Sequence, residues 1–176
     1  MEIKTLFILP VFFLSHIAIS ETYLEAGLSR TENSSHFSAS NGIKLNLGYS
    51  FNDYVSIEGG YAYLGEGQDN KPPKWSIDTY VFSSDIKLQS PKYKNINAYT
   101  KFGINYWGLE VTENNFGTVV KDSGLGALLG VGIDYAISDK LTIGADYSQL
   151  NINNENTDVF TFKLGYKFKG KSAREK

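Results

Sequence analysis

Eight runs of this chain alternate apolar residues with small or polar ones at a period of two, and no stretch sustains the 3.6-residue period of a helix. The runs are Tyr23–Arg30, Gly42–Phe51, Tyr54–Leu64, Ile77–Leu88, Ile96–Trp107, Gly124–Tyr135, Leu141–Gln149 and Val159–Phe168. Most are about 9 to 12 residues, which is long for a soluble sheet and suits a tilted strand that crosses a bilayer. Alternation sends successive side chains to opposite faces, so each run divides its residues into two sets. One set is aliphatic, aromatic or small, as in Leu24, Ala26 and Leu28, in Ile43, Leu45 and Leu47, and in Phe162 and Leu164. The other carries Glu25, Lys44, Glu58, Asp85, Lys87, Lys101, Asp134, Asp146 and Lys163, spaced among glycines.

A soluble barrel would have to bury that charged set or leave the aliphatic one in water. Burying an unpaired charge costs far more than burying a leucine gains. Acids and lysines that line a narrow interior can pair with one another, so the apolar set is expected to face lipid. No residue assigned to it is charged, where Lys or Arg at the bilayer midplane would cost roughly 2 to 4 kcal/mol. The fourth strand is the least regular: its phase puts Asp78 outside, so Asp78 is expected above the membrane or at a bulge.

The connections support the same fold. FND, QSPKYKN and ISDK follow the second, fourth and sixth strands, whereas TENSSHFSASN, GEGQDNKPPKWS, GLEVTENNFGTVVKDS and LNINNENTD follow the odd-numbered ones. Short turns at one end and long polar loops at the other are the pattern of a barrel with periplasmic turns and external loops. With those directions, Tyr61, Tyr63, Tyr80, Tyr106, Trp107, Tyr147 and Phe160 fall at the outer strand ends. Tyr23, Tyr49, Phe51, Tyr135, Tyr166 and Phe168 fall at the periplasmic ends. Two aromatic belts are what the two lipid interfaces favour.

Upstream, MEIKTLFILPVFFLSHIAIS has a basic start, a short apolar run and small residues at Ala18 and Ser20. It reads as a cleaved secretory signal over residues 1–20, ahead of a barrel over 21–168 and a basic periplasmic tail over 169–176. The 176-residue chain has no cysteine, two histidines and a formal net charge of −2. That inventory excludes a disulfide framework, a thiol site and a His-rich zinc site, and gives no footprint for nucleic acid. No cofactor or metal is expected. GLGALLG (Gly124–Gly130) lies within a strand, without the strand-then-helix context of a dinucleotide fingerprint. His36, with Ser34, Ser35 and Glu32, is the one arrangement that would suit a hydrolytic or acyl-transferring barrel enzyme; neighbours within one polar loop seldom form such a site.

The stretches GYSFNDYVSIEGGYAYLG (Gly48–Gly65), NAYTKFGINYW (Asn97–Trp107), GVGIDYAISDKLTIGADYS (Gly130–Ser148) and FKLGYKF (Phe162–Phe168) resemble the eight-stranded transmembrane domain of the outer membrane protein A family. The resemblance implies interior acid–base pairs that block or gate the barrel. Two of the family's interior acids fall on Glu58 and Asp134, and an interior basic position falls on Lys101. Other basic positions fall on Gly144 and near Asp85, so Lys44, Lys87 and Lys163 would have to supply counter-charges. Only KGKSAREK follows Phe168, so the family's peptidoglycan-binding domain is not expected.

These readings converge on an all-β, eight-stranded, antiparallel up-and-down barrel of a Gram-negative outer membrane. It is expected to be a monomer with a structural or surface-interactive role and at most a narrow pore, with an enzyme as the alternative. The expected surroundings are outer membrane lipid and lipopolysaccharide, with the barrel-assembly machinery as a partner during insertion. The expected interior charge network is Glu58, Lys101, Asp134, Lys44, Asp85, Lys87, Asp146 and Lys163. The expected interface aromatics are Tyr49, Phe51, Tyr61, Tyr63, Tyr80, Tyr106, Trp107, Tyr135, Tyr147, Tyr166 and Phe168.

Overall fold

A computed structural model describes residues 21–32, 39–68, 75–113 and 117–168. Its strands are β1 (Glu21–Glu32), β2 (Ser40–Ser50), β3 (Val55–Gln68), β4 (Trp75–Gln89), β5 (Ile96–Glu113), β6 (Gly117–Ala136), β7 (Leu141–Ile152) and β8 (Glu155–Phe168). Each pairs antiparallel with its neighbours in sequence, and β8 closes on β1 from Thr22↔Phe168 to Glu32↔Asp158. Closure leaves no edge through the body of the sheet, the condition for a sheet to cross lipid. The expectations for 1–20 and 169–176, and those on His36, Ser34 and Ser35, lie outside the described residues.

Turn chemistry sets the register at the short-turn end. Asn52 Oδ1 accepts from the backbone N–H groups of Tyr54 and Val55 at 2.8 and 2.9 Å, and Ser138 Oγ accepts from Leu141 N–H at 3.1 Å. Lys94 and Asn95 take φ of 48° and 68°, which turns the chain tightly between Tyr93 and Ile96. At the opposite end strand extends into the expected loops. LNINNENTD holds a two-residue turn at Asn153-Asn154, with φ of 49° and 63°, between the paired residues Ile152 and Glu155. GLEVTENNFGTVVKDS continues β5 to Glu113 and resumes in β6 at Gly117. Its polar composition suggests a loop, but an antiparallel ladder satisfies the backbone whatever the side chains prefer.

The two faces separate by accessibility in the sense opposite to a soluble protein. Phe162, Leu125 and Leu28 are 76 %, 75 % and 72 % exposed on the outer wall, whereas Lys101 and Glu58 are each 1 % exposed inside. Lys and Glu are almost never buried to this degree unless paired, and so wide an apolar exterior needs lipid rather than water around it. Asp78 shares the outward face at the far end, where it accepts a hydrogen bond from the Tyr63 hydroxyl at 2.5 Å. The accompanying irregularity is a register shift on β3 between Tyr63 and Gly65, where Gly65 adopts φ of 89°.

Candidate functional site: the ion-paired barrel interior

Three storeys fill the barrel from the short-turn end upward. The lowest is a polar cavity of about 510 Å³ lined by Tyr23, Glu25, Lys87, Gln89, Asn97 and Asp134 among others. Above it stands an ion network centred on the ammonium of Lys87, which lies 3.2 Å from Glu25, 3.3 Å from Glu58 and 3.1 Å from Asp134. Lys163 bridges Glu25 at 2.8 Å and Asp134 at 3.0 Å, Lys101 pairs with Glu58, and the Tyr23 hydroxyl donates to Glu58 at 2.6 Å. A separate pair joins Lys44 to Asp146 at 3.2 Å, with the Ser148 hydroxyl donating to the same Asp146 oxygen. Every one of these ion pairs joins inward positions on two different strands, so the network exists only once the barrel has closed.

The Tyr99 ring lies among the cations, with Lys87 4.2 Å and Lys163 4.6 Å from its centroid. A ring face supplies negative potential without needing a proton donor, which suits a site crowded with ammonium groups. Each inward aromatic faces a glycine across the ladder: Tyr23 is paired with Gly48, Tyr99 with Gly132 and Trp107 with Gly124. A Cβ at Gly132 would strike the Tyr99 ring, so the missing side chain is the space in which the ring lies. Gly144 plays the same part for a cation. It pairs with Lys163, whose Cε would be 3.0 Å from a Cβ at Gly144, and Lys163 thereby reaches Asp134. The counter-charge that the resemblance puts at Gly144 comes instead from the adjoining strand.

The top storey is apolar. Ala62, Leu64, Val81, Trp107, Leu128, Leu150, Ile152 and Val159 form one buried cluster across the mouth, with Leu109 packed against it. Trp107, expected at the lipid interface, is a correction: it is 5 % exposed and belongs to this cluster. Tyr23 is a second, turned inward onto Glu58 rather than out to the periplasmic belt. Both corrections, and Tyr99, were readable from parity. Trp107 and Tyr99 share the phase of Lys101, and Tyr23 shares that of Glu25. Position along the strand places Trp107 and Tyr23 in the belts, whereas phase places them in the lumen, and phase decides.

Of the other expected interface aromatics, Tyr49, Phe51, Tyr61, Tyr106, Tyr135, Tyr166 and Phe168 lie exposed on the outer wall; Tyr63, Tyr80 and Tyr147 are half-buried at the far end. Tyr147 donates to Asp158 at 2.7 Å, as Tyr63 does to Asp78. Among the expected charges, Asp85 is buried on the inner wall without an ion pair, and its Oδ1 has no hydrogen-bond partner. The inward acids Glu25, Glu58, Asp85, Asp134 and Asp146 exceed the inward lysines Lys44, Lys87, Lys101 and Lys163 by one, and Asp85 is the acid left over.

A closed eight-stranded sheet with an apolar wall and a filled, ion-paired interior defines a transmembrane β-barrel. A family model described as the outer membrane protein beta-barrel domain matches residues 6–168, and the chain belongs to that family. Its place is accordingly the outer membrane. Outer membrane protein A of Escherichia coli O157:H7 is 28% identical over 109 residues, covering 59% of this chain and 30% of that protein. Its counterpart in Serratia marcescens is 29% identical over 111 residues, covering 57% and 30%. The chain thus spans about 30% of the length of these curated relatives. Among solved structures, OprG from Pseudomonas aeruginosa superposes with a TM-score of 0.67 at 12% identity, covering 87% of this chain and 98% of that one. Ail, the attachment invasion locus protein of Yersinia pestis, in complex with the heparin analogue sucrose octasulfate, gives 0.60 at 16% identity, covering 85% and 97%. At these identities the likeness is one of fold.

Proposed function

We propose that this barrel is a closed structural anchor of a Gram-negative outer membrane that displays its outer strands and loops for surface interaction, with at most a narrow gated pore. The observation that carries this reading is the succession of an ion-paired storey and an apolar storey across one lumen. Ions would have to displace both, and an interior of eight strands is just wide enough for side chains to fill. The short turns then lie in the periplasm, and the extended β3–β6 region faces outward among lipopolysaccharide. The chain is exported by a signal removed after residue 20, inserted by the barrel-assembly machinery and works as a monomer. Its curated relatives carry names of outer membrane proteins rather than of enzymes, which supports the non-enzymatic reading.

The test is single-channel recording of the mature chain in planar bilayers. Rare, small openings or none are expected, and a large steady conductance would refute the anchor. Lys101→Met should change either those openings or the stability of the barrel in micelles; no change in both removes Lys101 from any gate.

A further inference from the structure

β7 is laddered to β6 only up to Leu150, opposite Leu128, and β8 to β1 only up to Asp158, opposite Glu32. Beyond those pairs, among the described residues, the strand pairing of Asn151–Thr157 stays within its own hairpin, where Asn151 faces Asn156 and Ile152 faces Glu155 across the turn at Asn153-Asn154. One face of this tip is nevertheless covered: Ile152 is 8 % and Thr157 9 % exposed, while Asn153, Asn154, Glu155 and Asn156 are all exposed. Alternation sends Ile152 and Thr157 to the lumen side, and Ile152 joins the apolar cluster across the mouth.

The tip has a seat at Gly126. This glycine shares the inward phase of Leu128 on β6, and the backbone carbonyl of Asn151 stands where a Cβ at 126 would be. The anchorage is slight, because Ile152 is the one apolar side chain between Leu150 and Val159, among four asparagines. A segment with few buried apolar contacts and water around its backbone opens locally at low cost. Below the apolar storey the lumen turns polar again, where Asn46, Ser83 and Ser148 line a small cavity beside Lys44, under Leu128 and Val159. The storey is thus a dry septum between that polar level and the outer medium, and apolar constrictions of this kind gate by excluding water.

We propose that Asn151–Thr157 is a lid on the outer mouth, seated on Gly126 and latched by Ile152, which lifts as a unit about Leu150 and Asp158 while the barrel below stays folded. Lifting withdraws Ile152 and Thr157 from the septum and lets water reach the remaining storey. The lid is then a gate in series with the ion network and independent of it, since no residue of the tip takes part in the lumenal ion pairs. This rests on the reading of the barrel as closed, and it names the element that opens the outer end.

The absence of cysteine makes a clean test possible. Val81→Cys puts a single thiol in the septum, at a position of β4 that is 2 % exposed, and its reaction with a charged thiosulfonate is timed on the full barrel in lipid nanodiscs. The thiol should react slowly in the otherwise unaltered barrel. Gly126→Val, which fills the seat, and Ile152→Asn, which removes the latch, should each speed it about tenfold or more, the worth of one buried isoleucine in such an equilibrium. Both variants should keep the heat-modifiable gel mobility of a folded barrel; if Gly126→Val fails to fold, Ile152→Asn decides alone. Amide hydrogen exchange supplies the second readout. In the variants it should quicken at Ile152 and Thr157 and stay unchanged at Ser148 and Thr161, and quickening at all four would mean general loosening and overturn the lid. A protected thiol indifferent to both substitutions in folded barrels refutes the lid alone, whereas a fast-reacting thiol in the unaltered barrel refutes the closed lumen itself.

Discussion

Replacing Lys87 by Met tests whether the interior network holds the barrel together. The substitution keeps most of the volume and removes the one ammonium within 3.3 Å of three carboxylates. Lys163 still reaches Glu25 and Asp134, and Lys101 still reaches Glu58, so three acids are left to two lysines in a lumen that already holds the unpaired Asp85. Removing one partner of a buried ion pair costs about 3 to 5 kcal/mol, because the remaining charge stays desolvated. The folding equilibrium should shift roughly 10² to 10⁴-fold. Urea titration of barrels in lipid vesicles, scored by the loss of the fast-migrating unboiled band, measures this directly. Adding Glu25→Gln to Lys87→Met should recover part of the loss, since it removes an acid that the first change stranded. A loss below about 1 kcal/mol for Lys87→Met, or purely additive losses in the double variant, would refute a network held by shared cations.

Three further outcomes follow from the placement of other residues. Trp107→Ala should destabilise the barrel by about 3 to 5 kcal/mol and raise the frequency of channel openings, since it hollows the apolar storey; a surface belt tryptophan would leave the openings unchanged. Gly132→Val should disturb assembly by pushing the Tyr99 ring off the inner wall, read as lost near-ultraviolet circular dichroism, whereas Gly59→Val, on the open outer wall, should be tolerated. Leu47→Lys, in the middle of the lipid-facing β2, should cost roughly 2 to 4 kcal/mol in vesicles, and Glu113→Lys at the tip of β5 close to nothing; equal tolerance of the two would refute the assignment of faces.

Much of this architecture follows from local rules. Parity along a strand is a covalent property of the extended backbone, so the sequence alone assigns Leu47 and Phe162 to one wall and Glu58 and Lys101 to the other. The inward glycines and the asymmetry of turns then imply closure around a filled lumen. What parity cannot state is depth and partnership. Whether Lys163 or a base at position 144 meets Asp134 depends on which strand lies beside which and in what register, and a one-residue slip would change every partner. Parity turns Trp107 inward, but the room for its ring at the mouth comes from Gly124 across the ladder, a relation that only the pairing of β5 with β6 states. The bilayer stops mattering where β5 and β6 emerge, and beyond that point pairing between strands rather than side-chain hydrophobicity decides where a strand ends. Only the closed structure shows that β7 and β8 bury Leu150, Ile152 and Val159 in the mouth while β6 runs on along β5 to Gly117, beyond its pairing with β7 at Leu128.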